Sequence, residues 1–78
     1  MQNSQDIRSF QDVISLWPTQ TAMAADISTP LERVKKWHQR NSIPPLYWEV
    51  IIQAGYKRGA DLTIIQMHRL ATTRKAAS

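Results

Sequence analysis

Residues 19–40 read TQTAMAADISTPLERVKKWHQR, and the order of small, apolar and basic side chains in them decides how this chain folds. The first half is small and apolar: Ala22, Met23, Ala24 and Ala25, then Ile27. The second half holds Arg33, Lys35, Lys36 and Arg40 around Val34 and Trp37, whose spacing of three puts both on one side of a helix. Between the halves lies Ser28-Thr29-Pro30. Thr29 is expected to be an N-cap, Pro30 the first helical residue, and Glu32, three after Thr29, the partner in a capping box. Thr19 is expected to cap the helix before it, over about Gln20 to Asp26. The basic helix should run to about Arg40, with Asn41 as its C-terminal cap. The stretch therefore reads as two short helices joined by a tight break, the second of them basic.

Working outward, Phe10, Val13, Ile14 and Trp17 stand at i, i+3, i+4 and i+7 and mark one face of a first helix starting near Ile7 or Arg8. Pro18 ends it, because a residue before proline is pushed out of the helical region. Ser42-Ile43-Pro44-Pro45 is a stiff connector, and Pro45 is able to open the next helix. Leu46, Tyr47, Val50, Ile51 and Ala54 mark a fourth helix that ends near Gly55 to Gly59. A fifth is expected from about Asp61, with Leu62, Ile65, Met67, His68 and Ala71 turned inward and with fraying from Thr72 onward. No stretch alternates apolar and polar over more than a few residues, and no Asn-Gly or Asp-Gly hairpin signal occurs. The expected architecture is all-α: five helices in one domain over residues 7–72, between a flexible N-terminus at 1–6 and a flexible tail at 73–78.

At 78 residues the chain has room for one small domain, and its hydrophobic fraction of 42% is enough for a packed core rather than wholesale disorder. Cysteine is absent, so neither disulfides nor thiolate metal sites arise. No apolar run approaches the roughly 18 residues of a membrane span. Met1 to Gln5 carry no charged-then-apolar signal pattern, so a soluble, cytoplasmic and nucleoid-associated protein is expected. His38 and His68 are far apart in sequence and make a poor metal pair. No Gly-rich phosphate loop, nucleophile elbow or pair of acids at helical spacing is present, so no enzyme, cofactor or small-molecule substrate is expected.

The net charge of +4 favours a polyanionic partner, but the placement of the charge is more informative than its total. No acid interrupts the four basic residues from Arg33 to Arg40; Lys57 and Arg58 follow, then Arg69, Arg74 and Lys75. Clustering of this kind is an electrostatic footprint for phosphate. A basic helix of this build fits the major groove of DNA.

The pattern from Gln20 to Gln39 resembles the helix-turn-helix of phage Cro and lambda-type repressors. Ala24 takes the position of their small residue, Met23 and Ile27 their flanking apolar positions, and Val34 and Trp37 the two buried positions of their recognition helix. Ser28 stands where that family usually has glycine, and Thr29 is less apolar than usual. Trp37 followed by Ser42-Ile43-Pro44-Pro45 resembles an element of Cro-like and YdaS-like regulators, and the fuller run, LWPTQTAMAADI through VKKWHQRNSIPPLYWEVI, is similar to the small bacterial and phage carph-isopro domains over roughly Phe10 to Gly59. The resemblance implies a compact five-helix lambda-repressor-like domain. It also implies a phage-related bacterial transcription regulator, a repressor by expectation, working as a homodimer on double-stranded DNA.

On the residues themselves, Leu31, Glu32, Lys35, Lys36 and Gln39 are the candidates for base reading. Lysine donates to guanine, glutamate accepts from cytosine, and leucine touches a thymine methyl. Gln20, Thr21, Arg33, Arg40 and Lys57 are the candidates for phosphate. Trp17 and Trp37 belong on apolar faces, whereas Trp48 fits either the edge of the core or a dimer contact. Ile64, Ile65, Met67 and Leu70 put apolar groups on more than one side of the last helix, which favours self-association. They also keep open a different class of function, a protein-interaction module or antitoxin-like partner-binding protein. RNA or non-specific nucleic-acid binding is a third option.

Overall fold

Hydroxyl side chains set where three of the helices begin. The computed structural model describes residues 7–77, and the side chains of residues 7–72. Its five α-helices are α1 (Phe10–Ile14), α2 (Gln20–Asp26), α3 (Leu31–Arg40), α4 (Trp48–Lys57) and α5 (Ile64–Ala77). A single 3-10 turn, Pro45–Tyr47, leads into α4. No strand occurs among the described residues, so the all-α expectation holds. The first helix starts at Phe10, later than the apolar spacing implied. Ser9 has extended backbone there, and its Oγ accepts the Asp12 N–H at 3.1 Å. Thr19 caps α2 as expected, accepting the Ala22 N–H at 3.0 Å.

The capping box lies elsewhere than expected. Pro30 is not the first helical residue of α3 but its cap, with extended backbone (φ −63°, ψ 143°) and no side-chain cap. That leaves Thr29 one residue too early to reach the first turn. Its Oγ1 accepts instead from Arg33 Nη1 at 3.2 Å, and Glu32 pairs with Lys35 at 3.6 Å. The reciprocal pair forms at Thr63 and Gln66. The Gln66 N–H donates to Thr63 Oγ1 at 3.1 Å, and the Thr63 N–H donates to Gln66 Oε1 at 2.8 Å. The fifth helix accordingly starts at Ile64, beyond Asp61.

Three helices end in one and the same way. Ser28 (φ 56°), Asn41 (φ 52°) and Gly59 (φ 87°) adopt left-handed backbone after α2, α3 and α4. The next N–H reaches back to a carbonyl in each case: Thr29 to Ala24 at 2.9 Å, Ser42 to Trp37 at 3.1 Å, Ala60 to Gly55 at 2.8 Å. Ser28 thus takes the conformation for which glycine is preferred, at a cost of roughly 1–2 kcal/mol for an L-residue. The Schellman hydrogen bonds offset that cost and hold the break between α2 and α3 tight.

One core joins all five helices: Phe10, Val13, Ile14 and Trp17; Met23, Ala24 and Ile27; Val34 and Trp37; Ile43; Trp48, Ile51 and Ala54; Leu62, Met67 and Leu70. The apolar face expected for the fourth helix is turned. Leu46 is 83% exposed and Val50 is exposed, while Trp48 is buried and donates its indole N–H to the Ile43 carbonyl at 2.8 Å. The cause is the 3-10 turn, whose three residues per turn shift the register before α4 begins. Trp48 is therefore a core residue. On α5, Ile65 (60% exposed) and His68 point outward rather than in, because Met67 and Leu70 form the buried side. The His68 ring still meets that of Trp48 in a T-shaped contact, with centroids 4.9 Å apart. The helix continues to Ala77, past Thr72 where fraying was expected. The expectations for residues 1–6 and Ser78 lie outside the described residues. No helix among them is long and apolar enough to cross a membrane.

Asp26 ties α2 to the end of α4. Its Oδ2 accepts the Trp17 indole N–H at 2.8 Å and is paired with Arg58 Nε. A carboxylate at a helix C-terminus opposes the helix dipole, so its place here depends on these partners. The Arg58 guanidinium, and after it the Trp17 indole, hold the Asp26 carboxyl below its ordinary 3.8. The folded pKa is depressed, so the stability this group contributes is present above its ordinary value and is lost as pH falls below it. Thermal unfolding followed at pH 6 and near pH 3 should show a larger loss for the wild type than for Asp26→Asn, which has no carboxyl to titrate. Equal losses would mean that the pair does not stabilise the fold.

Candidate nucleic-acid interface

Burial of Val34 and Trp37 determines what the rest of α3 does. With those two side chains against the core, Glu32, Lys36 and Gln39, at i, i+4 and i+7, run down the middle of the outward side. Arg33 and Arg40 follow one flank and Lys35 the other. Glu32, Arg33, Lys35, Lys36, Gln39 and Arg40 are all exposed, while Leu31 is half-buried against the core. Pro30, Glu32, Arg33, Lys36, Trp37 and Arg40 line one shallow groove.

The helix that carries these groups is held at both ends. Its start follows the Ser28 turn, by which α2 packs directly on α3. At its other end Gln11 of α1 donates Nε2 to the His38 carbonyl at 2.7 Å, and the Gln11 N–H donates to Asn41 Oδ1 at 3.1 Å. His38 is thus a half-buried neighbour of α1 through its backbone. Arg40, with His38, lies in the last turn, where positive charge is favoured by the helix dipole.

The charges of Arg33, Lys35 and Lys36 on this face are only lightly neutralised within the fold. The Lys35–Glu32 pair is open to solvent, with side chains 51% and 78% exposed. Such pairs contribute about 0.2–0.5 kcal/mol, so both groups remain available to a ligand. Lys36 has no ion-pair partner among the described residues. Arg33 donates to two neutral oxygens, Thr29 Oγ1 at 3.2 Å and the Tyr47 hydroxyl at 2.8 Å. Sequence reasoning did not single out Tyr47 for this site. It lies 14 residues from Arg33, so no helical spacing links the two.

The remaining phosphate candidates divide. Gln20 is half-buried and Thr21 exposed, both in the first turn of α2. Lys57 is exposed but lines a different cleft, with Asp26, Val50, Gln53, Ala54 and Arg58. It therefore stands apart from the groove of Arg33, Lys36 and Arg40. Arg58, its neighbour in sequence, is taken up by Asp26. Among the described residues no three His, Asp or Glu side chains cluster closely enough to hold a metal ion.

No protein-family model, curated protein or solved structure matches this chain.

Proposed function

We propose that the chain is a sequence-specific regulator of double-stranded DNA, a helix-turn-helix protein that sets α3 in the major groove and acts as a repressor. The observation that carries this reading is the exposed basic face of α3, laid over the buried Val34–Trp37 seam and packed on a short α2 through a left-handed turn. A helix fits the major groove, where every base pair shows its own donors, acceptors and methyls. Lys35, Lys36, Gln39 and Glu32 would face base edges. Arg33 and Arg40, flanking them, would meet phosphates, together with Gln20 and Thr21 of α2.

Binding to a labelled duplex, followed by anisotropy across a salt series, tests the proposal. About three to four neutralised phosphates predict a log–log slope near −3 to −4, at about −0.9 per phosphate. A selected site should also outcompete bulk DNA by about a thousandfold or more. Binding that is indifferent to salt would remove the DNA reading.

One observation favours a second reading. Ile64 and Ile65 are exposed at the start of α5. They suit a protein contact, with a second copy of this chain or with another partner. Such a contact, being mainly apolar, would weaken little with salt.

A further inference from the structure

One cation of α3 is held by contacts within the fold itself. Arg33 Nη1 donates to the Tyr47 hydroxyl at 2.8 Å and to Thr29 Oγ1 at 3.2 Å, and the guanidinium carbon sits 5.6 Å from the centre of the Tyr47 ring. Tyr47 is itself fixed. Its ring packs against that of Trp37 at 4.8 Å, and its N–H donates to the Pro44 carbonyl at 3.0 Å, closing the turn that the double proline opens. A line of contacts therefore runs from the core at Trp37 through Tyr47 to Arg33. Both acceptors are neutral, so the arginine is placed without its charge being cancelled, and it lines the groove shared with Lys36 and Arg40. A guanidinium has five donors in a rigid fork, and the two contacts seen here leave others for an incoming anion.

We infer that Tyr47 is a positioning residue for phosphate recognition, holding Arg33 as a preformed clamp at the edge of the α3 groove. The inference rests on the DNA reading above and names the residue behind one of its contacts. A free arginine gives up rotamer freedom when it binds phosphate; one that is already ordered gives up less. The difference is about two- to tenfold in affinity per immobilised side chain. Tyr47→Phe keeps the ring, its packing on Trp37 and its face toward the guanidinium, and deletes only the acceptor.

A double-mutant cycle on duplex binding decides this. Tyr47→Phe should weaken binding about two- to tenfold with the salt slope unchanged. Arg33→Gln should lower the slope by about 0.9, and adding Tyr47→Phe to it should change nothing further. Arg33→Lys, which keeps the charge, should hold the slope near the wild-type value and be equally insensitive to Tyr47→Phe. Wild-type affinity in Tyr47→Phe, or the same fold-loss with and without Arg33, overturns the inference. Absence of duplex binding by the wild type overturns the function proposed above. A second arm then judges the clamp by itself, titrating inorganic phosphate against the guanidinium NMR signal of Arg33. A saturable shift that is weakened in Tyr47→Phe upholds the clamp, and an unresponsive signal overturns it.

Discussion

Replacing Lys35 and Lys36 together by alanine should, on the function proposed above, lower affinity for a preferred duplex about a hundredfold or more and leave the helical circular dichroism intact. Both side chains are exposed and neither belongs to the core, so removing them opens no cavity. Alanine is the best helix former, which favours α3 slightly. The Lys35–Glu32 pair that is lost contributes only a few tenths of a kcal/mol. Set against these small terms, a good base contact is worth about 1–3 kcal/mol, so two of them together exceed the roughly 2.7 kcal/mol of a hundredfold loss at the middle of that range. The variant also distinguishes what the lysines touch. If they read bases, the preferred site loses more than bulk DNA does. If they meet phosphates, both lose alike and the salt slope moves toward zero by about 0.9 for each lysine. Unchanged binding by a folded double variant would take the Lys35–Lys36 face of α3 out of the groove.

The parts of this fold legible in the sequence are those decided within one helix. Phe10, Val13 and Ile14 are buried together because their spacing alone puts them on one face of α1, and the same holds for Val34 with Trp37 on α3; Trp17 is buried as well, but α1 ends at Ile14 and the turn after it, not the helix, delivers the indole to the core. Asn41 ends α3 as its composition indicates, being one of the few residues that enter the left-handed region readily. What escaped the sequence is decided by neighbouring backbone or by distant partners. Two capping-box signatures compete, Thr29 with Glu32 and Thr63 with Gln66. Only the extended backbone of Pro30 disqualifies the first, since proline is acceptable both as a cap and as a first helical residue. The 3-10 turn after Pro44 exchanged Leu46 and Val50 for Trp48 on the buried face, and apolar periodicity carries no information about a change in residues per turn. In the site, the outward placement of Lys35, Lys36 and Gln39 followed from the buried seam. The Arg33–Tyr47 contact did not, because it joins a helix to a connector that returns on it. Lys57 was grouped with the phosphate contacts by charge alone, and the structure seats it beside Asp26 and Arg58 instead.

Truncating Trp48 to alanine has the largest expected effect on folding. The side chain is 4% exposed and lies where α1, the connector and α5 meet α4. It stacks on Phe10 at 6.2 Å between centroids, meets His68 in a T-shaped contact at 4.9 Å, and satisfies the Ile43 carbonyl. Removing such a side chain costs about 3–5 kcal/mol through lost contacts and the cavity left behind. At about 0.05–0.15 kcal/mol per residue, a domain of 78 residues has roughly 4–12 kcal/mol in all. Trp48→Ala should therefore be partly unfolded in buffer, or unfold at far lower urea than the wild type. Trp48→Phe keeps a ring against Phe10 but leaves the Ile43 carbonyl without its donor, a loss of about 1–3 kcal/mol. Urea unfolding followed by circular dichroism should rank the midpoints wild type, then Trp48→Phe, then Trp48→Ala. Duplex binding in the alanine variant should fall only as far as the folded fraction does. The lysine variant behaves oppositely, losing binding while the fold is kept. A Trp48→Ala midpoint equal to that of the wild type would place the indole outside the core, and with it would go the register in which the 3-10 turn delivers α4.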